Sequence, residues 1–411
     1  LTDFSSKAEA TTRALRSVFD PTPLQRNAYL SNKYGADIWL KREDLSPVRS
    51  YKIRGAFNAM RKQTGQSHFA CASAGNHAQG VAYMCREMGV EGTIFMPVTT
   101  PGQKIDKTRA FGGKHVTIRH VGDFFDDTLA AAQAYCTETG AHFLSPFDDA
   151  DVIEGQASVA VEILADLDTA PDMVILPVGG GGLSAGVTAY MTEQAPQTTL
   201  IYVEPEGGAS LTAALQAGHP VALPRVDTFV DGAAVAQIGA RTFDVLRDVP
   251  SDHVLRAPEN RICVTISEML NVEGMVLEPA GALSLDVLDE LAPQIAGKTI
   301  VCVTSGGNFD FERLPEVKER AMRHEGRKKY FVLRMPQRPG ALKDFLGILG
   351  PSDDISRFEY LKKSARNFGS VLIGIEAAAP EDFARLSERM DALGFEHRDI
   401  TNDTVLSEFL I

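Results

Sequence analysis

Val178-Gly179-Gly180-Gly181-Gly182-Leu183-Ser184-Ala185-Gly186 follows directly on the apolar run Met173 to Val178 and opens a helical pattern. Four consecutive glycines give up backbone entropy and admit positive φ, so several N–H groups can converge with no side chain in the way. A tight strand-to-helix turn would need only one or two. At a helix N-terminus such a loop is an anion cradle suited to a phosphate. Strand, glycine loop and helix in this order are the unit of a parallel α/β sheet. The looser dinucleotide fingerprint also fits, as Gly180-x-Gly182-x-x-Ala185 with Glu204 closing the next strand about twenty residues on. No GxxxxGK[ST] occurs, so an ATP-type P-loop is excluded.

The same rhythm extends in both directions. Apolar or β-branched runs at His68 to Ala72, Gly92 to Pro97, His115 to His120, Thr199 to Glu204 and Lys298 to Thr304 read as further strands, several ending at Gly or Pro. Between them, His77 to Met88, Phe124 to Thr139, Val152 to Leu167 and Ile266 to Glu273 have helical patterns, each long enough for a right-handed crossover. A doubly wound α/β architecture is expected through about Asn308. The basic segment Arg320 to Lys329 reads as the exit of a last helix plus a solvated linker. Beyond it the order changes to strand Tyr330 to Met335, helix Gly340 to Leu349, strands Ile355 to Leu361 and Ser370 to Ala377, helix Glu381 to Leu393 and strand Phe395 to Ile400. That is the β-α-β-β-α-β, ferredoxin-like order.

Composition narrows the function classes. At 411 residues the chain exceeds what one core serves, so two or three domains are expected. With 44% apolar and 23% charged residues it is neither disordered nor fibrous. A net charge of −13 opposes binding to nucleic acid and to anionic lipid, which favours a small-molecule partner. No apolar run approaches the ~20 residues needed to span a bilayer, and the first residues carry no signal-type stretch, so a cytoplasmic protein is expected. Five cysteines without a CxxC pair suggest reduced, mostly buried thiols rather than disulfides or zinc.

Three other segments carry candidate chemistry. Ser73-Ala74-Gly75-Asn76-His77-Ala78-Gln79-Gly80 follows a strand and opens a helix whose N–H groups can hold a carboxylate. Its plain alternative is an Asx-type cap. Lys52, in Ser50-Tyr51-Lys52-Ile53-Arg54-Gly55-Ala56-Phe57, would usually be solvent-exposed. Partly buried among Tyr51, Ile53 and Phe57, its amine would be easier to deprotonate and a better Schiff-base nucleophile. Ser305-Gly306-Gly307-Asn308 ends another strand. Loops at the carboxyl ends of strands converge in the crevice of an open α/β sheet, so these segments can face one pocket.

Ser50 to Ala56, Ser73 to Gly80, Gly179 to Leu183 and Ser305 to Asn308, in this order, resemble the fold-type II pyridoxal-phosphate enzymes, and among them the biosynthetic threonine dehydratases. The last eighty or so residues resemble the ACT-like regulatory domain of their allosteric members. The resemblance implies a catalytic domain of residues 1–320, made of two open doubly wound subdomains with the smaller, about 50–150, inserted in the larger. A linker, 321–329, and a regulatory domain, 330–411, would follow.

The resemblance further implies pyridoxal 5'-phosphate as cofactor, with Lys52 as its Schiff-base partner and the catalytic base. Gly179, Gly180, Gly181, Gly182 and Leu183 would hold the phosphate, Asn76 the 3-oxygen, and Ser305 the pyridine nitrogen. Ser73, Ala74, Gly75, Asn76 and His77 would take the substrate carboxylate. The implied reaction is threonine ammonia-lyase chemistry, L-threonine to 2-oxobutanoate and ammonia, with L-serine as a second substrate, at the first step of isoleucine biosynthesis. Isoleucine would be the allosteric inhibitor of a homo-oligomer, a dimer or tetramer.

Where related enzymes place an Asp to complete a cation site with a residue like Glu204, this chain has Ser210, so no metal is expected. Glu278 lies in a segment that resembles one lining the cofactor pocket; a plain helix N-terminal carboxylate is the alternative. Arg338-Pro339-Gly340-Ala341-Leu342 resembles the ACT-type turn into the first helix of that domain. A serine dehydratase or racemase on the same scaffold is the near alternative, and an NAD-linked oxidoreductase using Glu204 the distant one.

Overall fold

The computed structural model describes residues 2–361 and 367–403. The chain divides into two compact units, Leu1–Phe309 and Asp310–Ile411. The first unit contains a six-stranded sheet in the order Leu24–Arg26, Asp37–Arg42, Thr299–Thr304, Met173–Pro177, Thr199–Pro205, Val254–Ala257. All its pairings are parallel except that of the short edge strand Leu24–Arg26. Central strands of such a sheet are covered on both faces, and Met173–Pro177 is buried at every position. A second, fully parallel sheet is drawn entirely from residues 68–143, in the order Val116–His120, Glu91–Met96, His68–Ala72, His142–Phe143.

Two of the described α-helices start at a side-chain cap. Asp149, for instance, accepts hydrogen bonds from the Asp151 and Val152 N–H groups at 2.8 and 3.0 Å and opens Ala150–Asp166. The helix read from Ile266 onward begins instead at Glu259, because Pro258 precedes a polar first turn that periodicity does not register. Strand Asp37–Arg42 was not expected. It ends on two cations, yet Lys41 is wholly buried, its amine 2.7 Å from Glu162. Among the described residues no helix is long and apolar enough to cross a membrane.

The second unit begins earlier than the expected linker. Helix Leu314–His324 buries Val317, Ala321 and Met322. Its Glu319 accepts from the Tyr330 hydroxyl at 2.8 Å and pairs with Lys328 at 2.5 Å, so it is fastened to the strand that follows. Strand Lys328–Pro336 starts within the predicted linker, with Lys328 buried and paired to Glu376 at 2.9 Å. The span 321–329 is therefore mostly helix end and strand start rather than solvated chain, and the division falls at Phe309 and Asp310 rather than at 320. From Lys328 the order is β-α-β-β-α-β, and its four strands form an antiparallel sheet ordered Asp354–Leu361, Phe368–Glu376, Lys328–Pro336, Glu396–Asp399. This is the ferredoxin-like arrangement, over a core that includes Phe331, Phe345, Ile373 and Phe383. Residues 362–366 and 404–411 of the expected regulatory domain lie outside the described residues.

Candidate active site

The segments singled out by sequence meet at the carboxyl ends of their strands, joined by explicit hydrogen bonds. Tyr51, which precedes helix Lys52–Lys62, donates its N–H to the Ser305 carbonyl at 3.1 Å, and Ser50 bridges Gly306. Asn308 Nδ2 donates to the Val48 carbonyl at 2.9 Å and to Asn76 Oδ1 at 2.7 Å. Three of the four motifs thus share one wall.

Lys52 lies between the Tyr51 and Phe147 rings, its Nζ 5.3 and 6.0 Å from their centroids, and donates to the Pro146 carbonyl at 2.7 Å. Burial lowers its amine from 10.5 to about 8, against the opposing pull of the Glu278 charge. A substantial neutral fraction is therefore present near neutral pH, as a base or nucleophile requires.

The glycine loop follows Met173–Pro177, and Gly182 opens the helix Gly182–Gln194. Gly181 has φ +88°, a conformation that favours glycine. The Gly180 carbonyl is held by the Thr242 hydroxyl at 2.8 Å. A Cβ on Gly180 would sit 2.3 Å from the Phe147 ring. Gly180→Ala should therefore cost ~1–3 kcal/mol by overpacking and weaken pyridoxal-phosphate binding, since Phe147 belongs to the segment that holds Lys52. Thermal unfolding and cofactor titration check this; unchanged stability would refute the packing argument.

Phe147 and its neighbours are what sequence reasoning missed. Ser145 to Asp148 follows strand His142–Phe143, joins Lys52 to the glycine loop, and is itself pinned by Asp148. The Asp148 carboxylate accepts from the N–H groups of Ala240, Arg241 and Thr242 at 3.1, 2.8 and 3.3 Å. Pro146-Phe147-Asp148, directly after a strand, was the available signal.

The other predicted residues are placed as follows. The Ser305 hydroxyl, buried, donates to the Ala280 carbonyl at 3.2 Å. Ser73 Oγ accepts the Gly75 N–H at 3.1 Å, which shapes the turn into helix Asn76–Met88, while Ala74 and Gly75 are half-buried. The His77 side chain points elsewhere. Its Nε2 lies 3.0 Å from the Leu144 carbonyl, and burial, aided by the Lys52 charge, lowers the ring to about 3. It stays neutral, so it cannot offer a carboxylate a positive charge.

Glu204, the acidic residue of the dinucleotide alternative, is fully buried and committed elsewhere. Its carboxylate accepts from the Leu211 N–H at 2.6 Å, the Thr212 N–H at 2.9 Å and the Thr212 hydroxyl at 2.7 Å. Beneath the site, Arg54 is wholly buried between Glu43 and Glu162, bonding both carboxylates at 2.7–2.9 Å, with Thr22 and Ser158 at 3.0 Å. Burial alone would raise the Glu162 carboxyl; the Arg54 charge outweighs it and holds Glu162 below the usual range.

Comparisons with known proteins show the family. Residues 15–306 match the family model described as pyridoxal-phosphate dependent enzyme, and residues 319–410 that described as the C-terminal regulatory domain of threonine dehydratase. The biosynthetic L-threonine dehydratase IlvA of Bacillus subtilis (strain 168) is 47% identical over 401 residues, covering 97% of this chain and 95% of that protein. The solved structure of the processed form of threonine deaminase isoform 2 from Solanum lycopersicum is 36% identical with a TM-score of 0.73, covering 78% of this chain and 94% of that one. A maize serine racemase structure is 25% identical with a TM-score of 0.70, over 78% and 98%. Matched by both family models and 47% identical over nearly its whole length to a biosynthetic L-threonine dehydratase, the chain belongs to the pyridoxal-phosphate-dependent enzymes, and among them to the biosynthetic threonine dehydratase family.

Proposed function

We propose that this enzyme dehydrates and deaminates L-threonine to 2-oxobutanoate and ammonia, accepts L-serine as a second substrate, and is inhibited by isoleucine. The observation that carries the reading is the Lys52 amine, lowered to about 8 where the Asn76, Ser305 and glycine-loop segments meet. Whole-length similarity to L-threonine dehydratases, at 47% against 25% for the serine racemase structure, favours elimination over racemisation.

The residues fit pyridoxal phosphate. The glycine loop opens a 13-residue helix, whose N–H groups suit a phosphate, and the buried Ser50 hydroxyl, two residues before Lys52, has no hydrogen-bond partner. Gly179 to Leu183 would hold the phosphate, Asn76 the 3-oxygen, Ser305 the ring nitrogen and Lys52 the carbonyl carbon. Backbone N–H groups of Ser73 to His77 would hold the substrate carboxylate. Bound there, the cofactor supplies an electron sink for charge developing at the substrate α-carbon.

With the cofactor bound, neutral Lys52 Nζ would take the α-proton. The electron pair left at the α-carbon would form the α–β double bond as the β C–O bond breaks, and the departing hydroxide would take the proton back from the Lys52 ammonium and leave as water. The enamine would then be released. In water it tautomerises and hydrolyses to 2-oxobutanoate and ammonia. Tyr51 and Phe147 screen the amine from solvent, and the Pro146 carbonyl fixes its direction.

Regulation belongs to the second unit. A cavity of about 400 Å³ there is lined by Met335, Pro336, Arg338, Leu342, Leu346 and Tyr360, among others. Aliphatic and aromatic walls with two cations, Lys343 and Arg338, the latter also paired with Asp344 at 2.7 Å, suit a branched side chain bearing a carboxylate. The same reading takes the enzyme as a cytoplasmic homo-oligomer, in keeping with a family of biosynthetic enzymes. The test is turnover of L-threonine, L-serine and D-serine with product identification, repeated across an isoleucine titration. Arg338→Ala should raise the isoleucine needed for half-inhibition roughly tenfold or more and leave uninhibited turnover unchanged. Absence of 2-oxobutanoate would overturn the reaction; an unmoved isoleucine response would overturn the effector site.

A further inference from the structure

Glu278 precedes helix Pro279–Asp286, where a carboxylate ordinarily caps the first N–H groups; it makes no such bond. It is 5% exposed, and its Oε1 accepts from Asn76 Nδ2 at 2.6 Å. Room for this comes from Gly306, where a Cβ would lie 2.0 Å from the same oxygen. The plain helix-terminal reading of this carboxylate does not fit its direction.

The consequence falls on Asn76. Its Oδ1 accepts from Asn308 Nδ2, and Asn308 Oδ1 in turn accepts from Lys107 Nζ. A primary amide has two N–H donors, so with one given to Glu278 a single donor remains. The charged and titratable groups that interact electrostatically with Glu278 are Asp231, Lys104 and Lys107, together with Tyr51 and Lys52 at the start of helix Lys52–Lys62. Asp231 is itself paired with Lys104.

We propose that Glu278 is a positioning residue for the reaction: it fixes the Asn76 amide in the one orientation that leaves an N–H for the cofactor 3-oxygen, and from that place its buried charge acts on the Lys52 amine. This rests on the cofactor assignment made above. Burial, with the Asp231 charge, raises Glu278 to about 7. The carboxylate is therefore largely charged above that value, and there it favours the protonated amine of Lys52. Removing the charge should move the Lys52 midpoint further down from about 8.

The experiment compares E278Q and E278A with the parent protein by two measurements. The first, on cofactor-free protein, follows the pH dependence of Lys52 labelling by an amine reagent, resolved by peptide mass spectrometry. Both variants should show the Lys52 midpoint displaced downward, while surface lysines keep theirs. The second is titration with pyridoxal phosphate followed by absorbance. E278Q, which keeps an acceptor for Asn76, should bind within about threefold of the parent, and E278A should bind roughly tenfold or more weakly, because a buried donor loses its partner. An unmoved Lys52 midpoint in E278Q, or equal affinities for all three proteins, overturns the proposal. E278Q is nearly isosteric, so its labelling midpoint decides the matter even if E278A fails to fold. A parent protein that takes up no pyridoxal phosphate overturns the cofactor assignment instead.

Discussion

Lys52→Ala abolishes threonine turnover, by about 10⁴-fold or more, and removes the visible absorbance of protein-bound pyridoxal phosphate. In the proposed mechanism one amine would serve as attachment point and as base, so a single truncation would delete both functions. The fold should survive it. Lys52 makes one hydrogen bond, to the Pro146 carbonyl, and alanine is the best helix former for this position. Stability should even rise. The amine is lowered in the folded state from 10.5 to about 8, so wild-type folding is opposed by the need to keep a charge out of water. The folded state binds fewer protons than the unfolded state between those values, so wild-type stability climbs as pH rises through that window. The advantage of Lys52→Ala is therefore largest below pH 8 and fades above it. Steady-state turnover, absorbance and thermal unfolding at several pH values check the three parts. Turnover within tenfold of the parent would sink the assignment.

Arg54→Met should destabilise the protein by about 3–5 kcal/mol, the largest loss expected from one substitution outside the apolar core. Methionine fills much of the volume but leaves Glu43 and Glu162 buried without the guanidinium that both share. Lys41 and Arg16 remain beside Glu162, at 2.7 and 2.5 Å, but neither spans Glu43 and Glu162 as the planar, two-sided Arg54 fork does. The sign of the pH effect follows from Glu162, whose folded-state value is depressed. Its stabilisation is present above the ordinary carboxylate value of 4.5 and is lost as pH falls through the folded-state value. The gap between parent and variant should therefore be full at neutral pH and narrow in acid. Denaturant unfolding at pH 7 and below 4.5 tests both statements, and a loss under about 1 kcal/mol at pH 7 would refute the first. Because Arg54 lies in the first turn of the helix that Lys52 opens, the variant should also bind cofactor less tightly.

Much of the catalytic unit was legible because its chemistry is written in short local signals. Gly179 to Gly182, Ser73 to Asn76 and Ser305 to Asn308 all stand where an apolar strand stops, and an α/β sheet collects such ends. What stayed hidden depends on partners far away in the chain. Arg54 and Glu162 are 108 residues apart, and nothing near either marks the other. Strand Asp37–Arg42 went unread because sequence shows the charge of Lys41 and not the Glu162 carboxylate that lets it be buried. Asp148 reads as a loop residue until the helix it caps, Ala240–Leu246, folds against it. The basic segment after Arg320 misled in the same way. Its charges suggested solvent, while Glu319 and Glu376 had already engaged Lys328. His77 differs, since its backbone opens the helix as its motif implied while its ring is spent on the Leu144 carbonyl.

The helix Leu314–His324 sets a condition on modular engineering. Chimeras that exchange sensors between enzymes are usually cut where a sequence looks loose, which here would be within 321–329. Such a junction would strand Val317 and the Tyr330-bonding Glu319 on the donor and leave the recipient sheet without its first brace. The transplantable cassette is Asp310–Ile411, and a graft that begins there carries its own foundation with it.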